Sequence, residues 1–165
     1  MPAVDRAAFL GAMRRVASSV TVVTTDGPAG RHGATVSAFC SVSADPPTVL
    51  VCLNDSSRTA ACVRGNGAFA VNVLPEDAPK VAMRFAGRGA PADRFEGLDC
   101  TPGALPLIAG ATALICGVTE APLCGTHRVV MGEVTQVRLG AAAPLAYHDG
   151  AFGRVVPLDA AGRAR

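Results

Sequence analysis

A row of hydroxyl side chains without charged neighbours is the first feature of this sequence that could do chemistry. The stretch GATVSAFCSVSADPP alternates small or apolar residues with a second set, whose hydroxyls belong to Thr35, Ser37, Ser41 and Ser43. That period of two is typical of a β-strand, and we expect one strand over residues 34–43. Solvent-facing strands usually carry charge, so this face indicates contact with something other than bulk solvent.

A second group, NDSSRT at residues 54–59, lies between the apolar strand TVLVCL and a short helix. Free backbone N–H groups at a helix start, nearby hydroxyls and Arg58 favour a bound phosphate. An N-cap by Asp55, Ser56 or Ser57 explains the same residues without a ligand. The hexapeptide alone supports both interpretations.

A third group, GTHRVVMGEVTQV, contains His127. Strand alternation places His127 on one face with Met131 and Glu133. A lone histidine at a strand start is more often structural than catalytic, and the three histidines lack the spacing of a metal site. No G-x-S-x-G elbow supports hydrolysis. GRGAPA at residues 87–92 spells a dinucleotide fingerprint, but it follows a helix and contains Pro91, so we expect no Rossmann site.

The elements that must position these groups are mostly strands. Hydrophobic patterning predicts strands over residues 20–25, 34–43, 48–53, 68–74, 111–119 and 127–139. Many strands with few helices favour a mainly β fold with peripheral α, arranged as a closed or partly closed antiparallel barrel with short helices on its rim.

Three helices are expected around this barrel. The first covers residues 3–16 and should pack an apolar stripe on a sheet; the stripe is Phe9, Leu10, Met13 and Val16. Two shorter helices, at residues 57–64 and 76–86, should be closed by Gly65 and Gly87.

Composition limits the classes of function. The 165 residues suit one domain, half are hydrophobic and only 17% are charged, so a charge-poor surface favours an oligomer. The net charge is +2 without a basic stripe, which predicts no nucleic-acid partner. The longest uncharged run, at residues 100–119, is broken by proline and glycine, and no secretory signal is apparent. Six cysteines without metal or C-x-x-C spacing suggest reduced thiols and a cytoplasmic protein.

The order of the segments is more specific than any one of them. MRRVASSVTVVTT, the hydroxyl stretch running on to NDSSRT, FAVNVL, VAMRFAG, PLIAGATALICGV, GTHRVVMGEV and PLAYHDGAFGRV together resemble the short-chain flavin reductase family, from about residue 9 to residue 155. The resemblance implies one FMN-binding split-barrel domain over residues 1–165, with a C-terminal tail at 156–165 outside its core. It also implies a homodimer with flavin near the subunit interface.

The family's flavin contacts can be carried onto this chain position by position. The residues implied at the isoalloxazine ring are Thr35, Val36, Ser37 and Ala38, with Ser43 farther along the strand. Those implied at the ribityl chain are Cys52, Leu53 and Asn54, and those at the phosphate are Ser57 and Thr59, with Arg84 as a further cation.

The implied activity is NAD(P)H-dependent reduction of FMN or FAD. Hydride passes from nicotinamide C4 to flavin N5, and reduced flavin leaves for a partner monooxygenase. His127 would be the catalytic residue of a nicotinamide pocket that Tyr147 and Phe152 complete. The family commonly reads Gly-Asp-His where this chain has Gly125-Thr126-His127; threonine can orient the imidazole but cannot favour its charged form. This departure keeps an alternative open: a tight FMN-binding electron carrier or sensor without nicotinamide turnover. A flavin-free interaction module is a further alternative.

Overall fold

The computed structural model of the chain describes residues 3–87, 94–101, 105–160 and 162–164. The helices in these ranges are α1 (Arg6–Met13), α2 (Arg58–Asn66) and α3 (Pro79–Ala86). The strands are β1 (Ser18–Ser19), β2 (Thr21–Thr25), β3 (His32–Val36), β4 (Phe39–Ala44), β5 (Pro47–Asn54), β6 (Ala68–Val73), β7 (Cys100–Thr101), β8 (Leu107–Ile108), β9 (Thr112–Glu120), β10 (Leu123–Cys124), β11 (His127–Arg138), β12 (Leu145–His148) and β13 (Ala151–Arg154). The predicted mainly β composition is confirmed.

The main sheet curls into a partly closed barrel. Its strands follow the order β3, β2, β6, β9, β11, β5, β4, all neighbours are antiparallel, and β10 pairs with β11. The two end strands, β3 and β4, are separated in the chain by only Ser37 and Ala38. The sheet must therefore curl until its edges approach each other. This confirms the predicted antiparallel barrel with helices at its rim.

Strand β2 is buried on both faces and separates two apolar cores. Val23 packs inside the barrel in one cluster with Val51 and Phe69. Val22 points the other way and joins Phe85 of α3 in a second cluster. Alternate residues of one strand thus fill the barrel and attach α3 to its outside.

Helix α1 is shorter than the predicted residues 3–16, because it begins after Asp5 and ends at Met13. Asp5 is its N-cap: Oδ2 accepts a hydrogen bond from the backbone N–H of Ala8 at 3.1 Å. The prediction that its apolar stripe packs on a sheet is wrong for the single chain. None of its residues is buried, and Phe9 and Leu10 are 52% and 44% exposed. Helical spacing identified the apolar stripe, but no part of the described chain covers it.

Helix α2 ends at Gly67 rather than at Gly65. Gly67 adopts a left-handed φ of 68° and its N–H donates to Val63 O, as a C-terminal glycine cap does. A Cβ on Gly65 would lie 2.6 Å from Ala29 Cβ, so Gly65 permits close approach of a neighbouring loop inside the helix. Gly65 was predicted to end the helix, whereas its role in the structure is to allow close packing against Ala29.

Helix α3 begins at Pro79, three residues later than predicted. Pro75 bridges Pro144, and the N–H of Glu76 donates to Ala143 O at 2.9 Å. These contacts hold the preceding residues extended, and Pro79 then starts the helix without losing a hydrogen bond. Gly87 follows with a φ of −73°, so it is extended and provides no left-handed cap.

The predicted strand over residues 34–43 is two strands, interrupted at Ser37 and Ala38. The hairpin of β12 and β13 was not predicted at all. Its turn is Asp149-Gly150, both with positive φ (47° and 85°), and Asp-Gly is a strong sequence signal for such a turn. The hairpin lies against β1 rather than in the main sheet.

Candidate functional site

A cavity of about 310 Å³ opens at the break between β3 and β4. The residues that line it are Ala34, Thr35, Val36, Ser37, Ala38, Cys52, Leu53, Asn54, Ser57 and His127. None of them is Asp, Glu, Lys or Arg. Most of the residues that the sequence assigned to a ligand therefore lie around one cavity, whose lining combines apolar side chains with hydroxyl and amide groups.

Strand pairing explains why these distant segments meet. The N–H of Cys52 donates to Ala38 O at 3.0 Å, which joins β5 to the interrupted strand. On the other side of β5, His127 lies opposite Asn54 in the antiparallel register with β11. The end of β5 thus places the hydroxyl stretch and the histidine on either side of one opening.

The Cys52 thiol keeps this wall uncharged. Burial raises its pKa, and the neighbouring thiols of Cys40 and Cys124 raise it further. Cys52 is therefore protonated at neutral pH and behaves as a small neutral group in the cavity.

Helix α2 begins at the edge of the cavity. Ser57 is its N-cap, in extended backbone geometry, and its Oγ accepts from the N–H of Ala60 at 3.1 Å. Asn54 Oδ1 accepts from the N–H of Ser56 at 2.9 Å and shapes the turn before the helix. Of the three predicted cap residues, Ser57 is confirmed. The cap occupies the N–H of Ala60, one of the first-turn N–H groups that have no partner within the helix.

Thr59 does not reach the cavity. It is only 1% exposed, and its Oγ1 lies 2.8 Å from Nδ1 of His32, which is also buried. Burial lowers the pKa of His32, and the charges of Arg94 and Arg58 lower it further, so His32 is neutral. The predicted phosphate contact of Thr59 is corrected: its hydroxyl binds His32 and holds the first turn of α2 against β3.

Two further predicted contacts lie elsewhere. Arg84 donates from Nη1 to the backbone oxygen of Glu96 at 2.9 Å and does not line the cavity. Ser43 uses its hydroxyl in a local turn, donating to Asp45 O at 3.0 Å and accepting from Asp45 N at 3.1 Å. Neither residue lies with the other candidates. Arg84 is in the last turn of α3, and Ser43 is near the end of β4 that is farther from the cavity.

Helix α3 fixes the wall formed by β3. Thr35 donates its hydroxyl to Ala82 O of α3 at 2.6 Å. A Cβ on Gly33 would lie 2.9 Å from Cε1 of Phe85, so only glycine allows the helix so close. The buried Arg94 then donates from Nη1 to Gly33 O at 2.8 Å. The position of the cavity wall therefore depends on packing outside the barrel.

A second, larger cavity of about 1,060 Å³ adjoins the first, and Ser37 and Ala38 line both. The exposed face of α1 and the β12–β13 turn form much of its wall, and Arg14 of that wall pairs with Asp149 at 3.2 Å. Tyr147 lines this cavity, whereas Phe152 packs edge-on against Tyr147 with ring centroids 5.7 Å apart. Within one chain, the predicted nicotinamide residues are therefore divided, with His127 in the smaller cavity.

The hairpin that carries His127 is held by a clamp that the sequence did not reveal. The N–H of Asp55 donates to Thr126 O at 3.0 Å, and Asp55 Oδ1 pairs with Arg128 Nε at 2.5 Å. Thr126 Oγ1 lies 2.9 Å from Nδ1 of His127. Asp55 and Arg128 are far apart in the chain, and only the register of β5 with β11 brings them together.

Neither a metal-binding cluster nor a membrane-spanning helix is present in the part of the chain that the structure describes. No group of three histidine, cysteine or acidic side chains there is arranged to hold a metal ion. No helix there is long and apolar enough to cross a bilayer. The sequence GRGAPA falls largely at residues 88–92, which lie outside the described ranges.

Comparison with known proteins identifies close relatives. Residues 13–155 match the family described as flavin reductase like domain. A protein named FMN reductase (NADH) RutF from Ancylobacter novellus is 41% identical over 142 residues, covering 84% of this chain and 78% of that protein. The reductase component of a 4-nitrophenol 4-monooxygenase/4-nitrocatechol 2-monooxygenase from Rhodococcus opacus is 39% identical over 155 residues, covering 93% of this chain and 83% of that protein.

The fold is also similar to solved structures. The NADH:FAD oxidoreductase SgcE6 of Streptomyces globisporus C-1027, solved with NAD and FAD fragments, superposes with a TM-score of 0.86. It is 32% identical, and the match covers 97% of this chain and 99% of that one.

Proposed function

Because the chain belongs to the flavin reductase family, we propose that it is an NAD(P)H:flavin oxidoreductase that supplies reduced flavin to a partner monooxygenase. FMN or FAD is the flavin, and NADH or NADPH is the donor. The observation that carries the proposal is the neutral cavity at the break between β3 and β4, to which the end of β5 and His127 converge.

The residues present fit a flavin. The cavity is within the size range of small-molecule sites, and its wall offers hydroxyl, amide and backbone groups without fixed charge. A heteroaromatic ring with a hydrogen-bonding edge suits such a wall. We place the ring at Thr35, Val36, Ser37 and Ala38 and the ribityl chain at Cys52, Leu53 and Asn54. Ser57 and the start of α2 are the candidates for the phosphate, since helix N-termini favour anions.

The chain's own contribution is placement. When bound, the flavin supplies N5 as the acceptor of a hydride from the nicotinamide. Small residues such as Ala34 and Ala38 let the backbone approach the ring closely, and His127 orients the reactants at the mouth of the cavity. Tyr147 and Phe152 extend the nicotinamide pocket from the larger cavity, across the shared wall at Ser37.

The proposal includes a homodimer. Support comes from α1 and the segment that follows it, where the apolar side chains of Leu10, Met13 and Val16 are exposed along the larger cavity. An apolar face of this kind is rare on a monomer, and a second copy of the chain would cover it. Light scattering after size exclusion should give a dimer for the wild type and a monomer for Leu10→Glu/Met13→Glu. A wild-type monomer would contradict this part of the proposal.

We place the protein in the cytoplasm, because all six cysteines are free thiols. The recipient of reduced flavin is a separate monooxygenase component, by analogy with the relative from Rhodococcus opacus, which is named as such a reductase component.

One steady-state assay tests the activity. NADH and NADPH are each combined with riboflavin, FMN and FAD, and nicotinamide oxidation is followed by its absorbance. The proposal expects turnover with added flavin and release of reduced flavin. A stoichiometric yellow chromophore that does not oxidise nicotinamide would replace it with the electron-carrier alternative. A melting temperature unaffected by any flavin would exclude both.

A further inference from the structure

The hairpin turn between β10 and β11 ends at His127. Gly125 has a φ of +59° as the first central residue of this two-residue turn, and Thr126 is the second. The backbone of the turn is tied to the start of α2 through the hydrogen bond from Asp55 N to Thr126 O. Thr126 is therefore held in place by contacts that do not involve its side chain.

The side chain of Thr126 is available to form a hydrogen bond with His127. Its Oγ1 lies 2.9 Å from Nδ1, within ordinary hydrogen-bonding distance. Because Nδ1 is engaged by Thr126, Nε2 is the ring nitrogen left for a ligand of the cavity that His127 lines. The bond also fixes rotation of the ring, which an exposed histidine would otherwise retain.

A threonine hydroxyl can donate to Nδ1 or accept from Nδ1–H, so the direction of this bond determines which ring nitrogen carries the proton. The hydroxyl has a single proton, and Nδ1 is its partner among the described residues. If Thr126 donates that proton, Nδ1 keeps its lone pair and the hydrogen is on Nε2. A threonine hydroxyl orients the imidazole through this bond, whereas a carboxylate in its place would also favour imidazolium.

We propose that Thr126 is a positioning residue that holds His127 as the neutral Nε2–H tautomer and presents Nε2–H to the cavity as a hydrogen-bond donor. The inference rests on the proposed function, in which His127 faces the reactants. It assigns to this chain a neutral donor, where a carboxylate at the same position would produce a charged one.

The test uses the tautomer as a readout that a structural role would not change. Long-range proton–nitrogen correlation on protein labelled with nitrogen-15 in histidine distinguishes the two neutral tautomers, and His127→Ala assigns the signals. At pH 8 we expect Nε2–H in the wild type, a mixture in Thr126→Val, and Nε2–H again in Thr126→Ser. Thr135→Val is the matched control: Thr135 lies on β11 like His127, but its exposed hydroxyl donates to Ile115 O of β9, and it does not line the cavity.

Kinetic measurements test whether Thr126 acts on the reaction through His127. Thr126→Val should lower kcat for flavin reduction by about two- to tenfold, the range that corresponds to one neutral hydrogen bond, while Thr135→Val leaves it unchanged. In a His127→Ala background, Thr126→Val should have no additional effect.

Three outcomes would overturn the inference: an Nδ1–H tautomer in the wild type, an unchanged tautomer in Thr126→Val, or a full effect of Thr126→Val without His127. If the wild type does not reduce flavin at all, the proposed function fails, and the tautomer measurement still decides the role of Thr126.

Discussion

Replacing Thr59 by valine separates support of the site from contact with its ligand. Valine matches the shape of threonine, so the change removes one buried hydroxyl without opening a cavity. Nδ1 of His32 then loses its partner at 2.8 Å inside the protein. A buried polar group left without a hydrogen bond costs about 1–3 kcal/mol.

That loss should be visible as reduced thermal stability. For a chain of this length, 1 kcal/mol lowers Tm by about 2–4 °C, so about 2 kcal/mol corresponds to a decrease of about 4–8 °C. The measurement is thermal unfolding without flavin at pH 8, because bound ligand would itself raise Tm. Thr135→Val is the control and should unfold within about 1 °C of the wild type, since exposed substitutions have small effects.

The same variant tests the corrected role of Thr59. If its hydroxyl supports α2 rather than binding phosphate, Thr59→Val should leave the ratio of the Kd values for FMN and riboflavin near that of the wild type. Ser57→Ala should reduce the preference for FMN, because Ser57 lines the cavity. A wild-type Tm for Thr59→Val, or a selective loss of FMN affinity, would refute the reasoning.

Three other predictions concern the site and its surroundings. His127→Ala should slow NADH-dependent flavin reduction in stopped flow while leaving flavin affinity nearly intact, and rates equal to wild type would contradict its role. Ser37→Ala should weaken flavin binding by about two- to tenfold in calorimetric titration, whereas Ser41→Ala should leave it unchanged; equal effects would contradict the proposed ring position. The pKa of His32 is lowered in the folded protein, so protons favour the unfolded state, and stability should be constant above about pH 6.5 and fall below it. His32→Asn should flatten that dependence in urea unfolding at pH 7.5 and pH 5.5, and an unchanged slope would exclude His32 as its source.

Much of the fold could be predicted from the sequence because period and turn chemistry are local. The strands over residues 20–25, 48–53, 68–74 and 111–119 were predicted within one or two residues of their observed bounds. The barrel followed from their number and from the scarcity of helices. The boundaries of α2 and α3 were displaced, because partners far along the chain decide them: Ala29 packs on Gly65, and Ala143 holds Glu76 extended.

The candidate site could be predicted in outline from the resemblance, and the cavity indeed collects the ring and ribityl candidates. The errors concern side chains whose partners lie far away in sequence. Nothing in the sequence indicates that Thr59 contacts His32 or that Arg84 donates to the backbone of Glu96. Spacing places a residue on a face of its own element but contains no information about what covers that face. The same limit explains α1, whose apolar stripe was identified although nothing in the described chain covers it.

The row of hydroxyls illustrates this limit within a single stretch. Alternation suggested one face with one purpose, yet the break at Ser37 and Ala38 divides it among different tasks. Thr35 donates to a carbonyl of α3, Ser43 closes a turn, and Ser41 lines neither cavity. Ser37 lies in the break itself, where the chain leaves one edge of the sheet and joins the other, and it alone of the four lines both cavities. A regular strand would have paired this residue with a neighbouring strand. The interruption of the alternating pattern, rather than the pattern, therefore creates the position at which the proposed flavin and nicotinamide would meet.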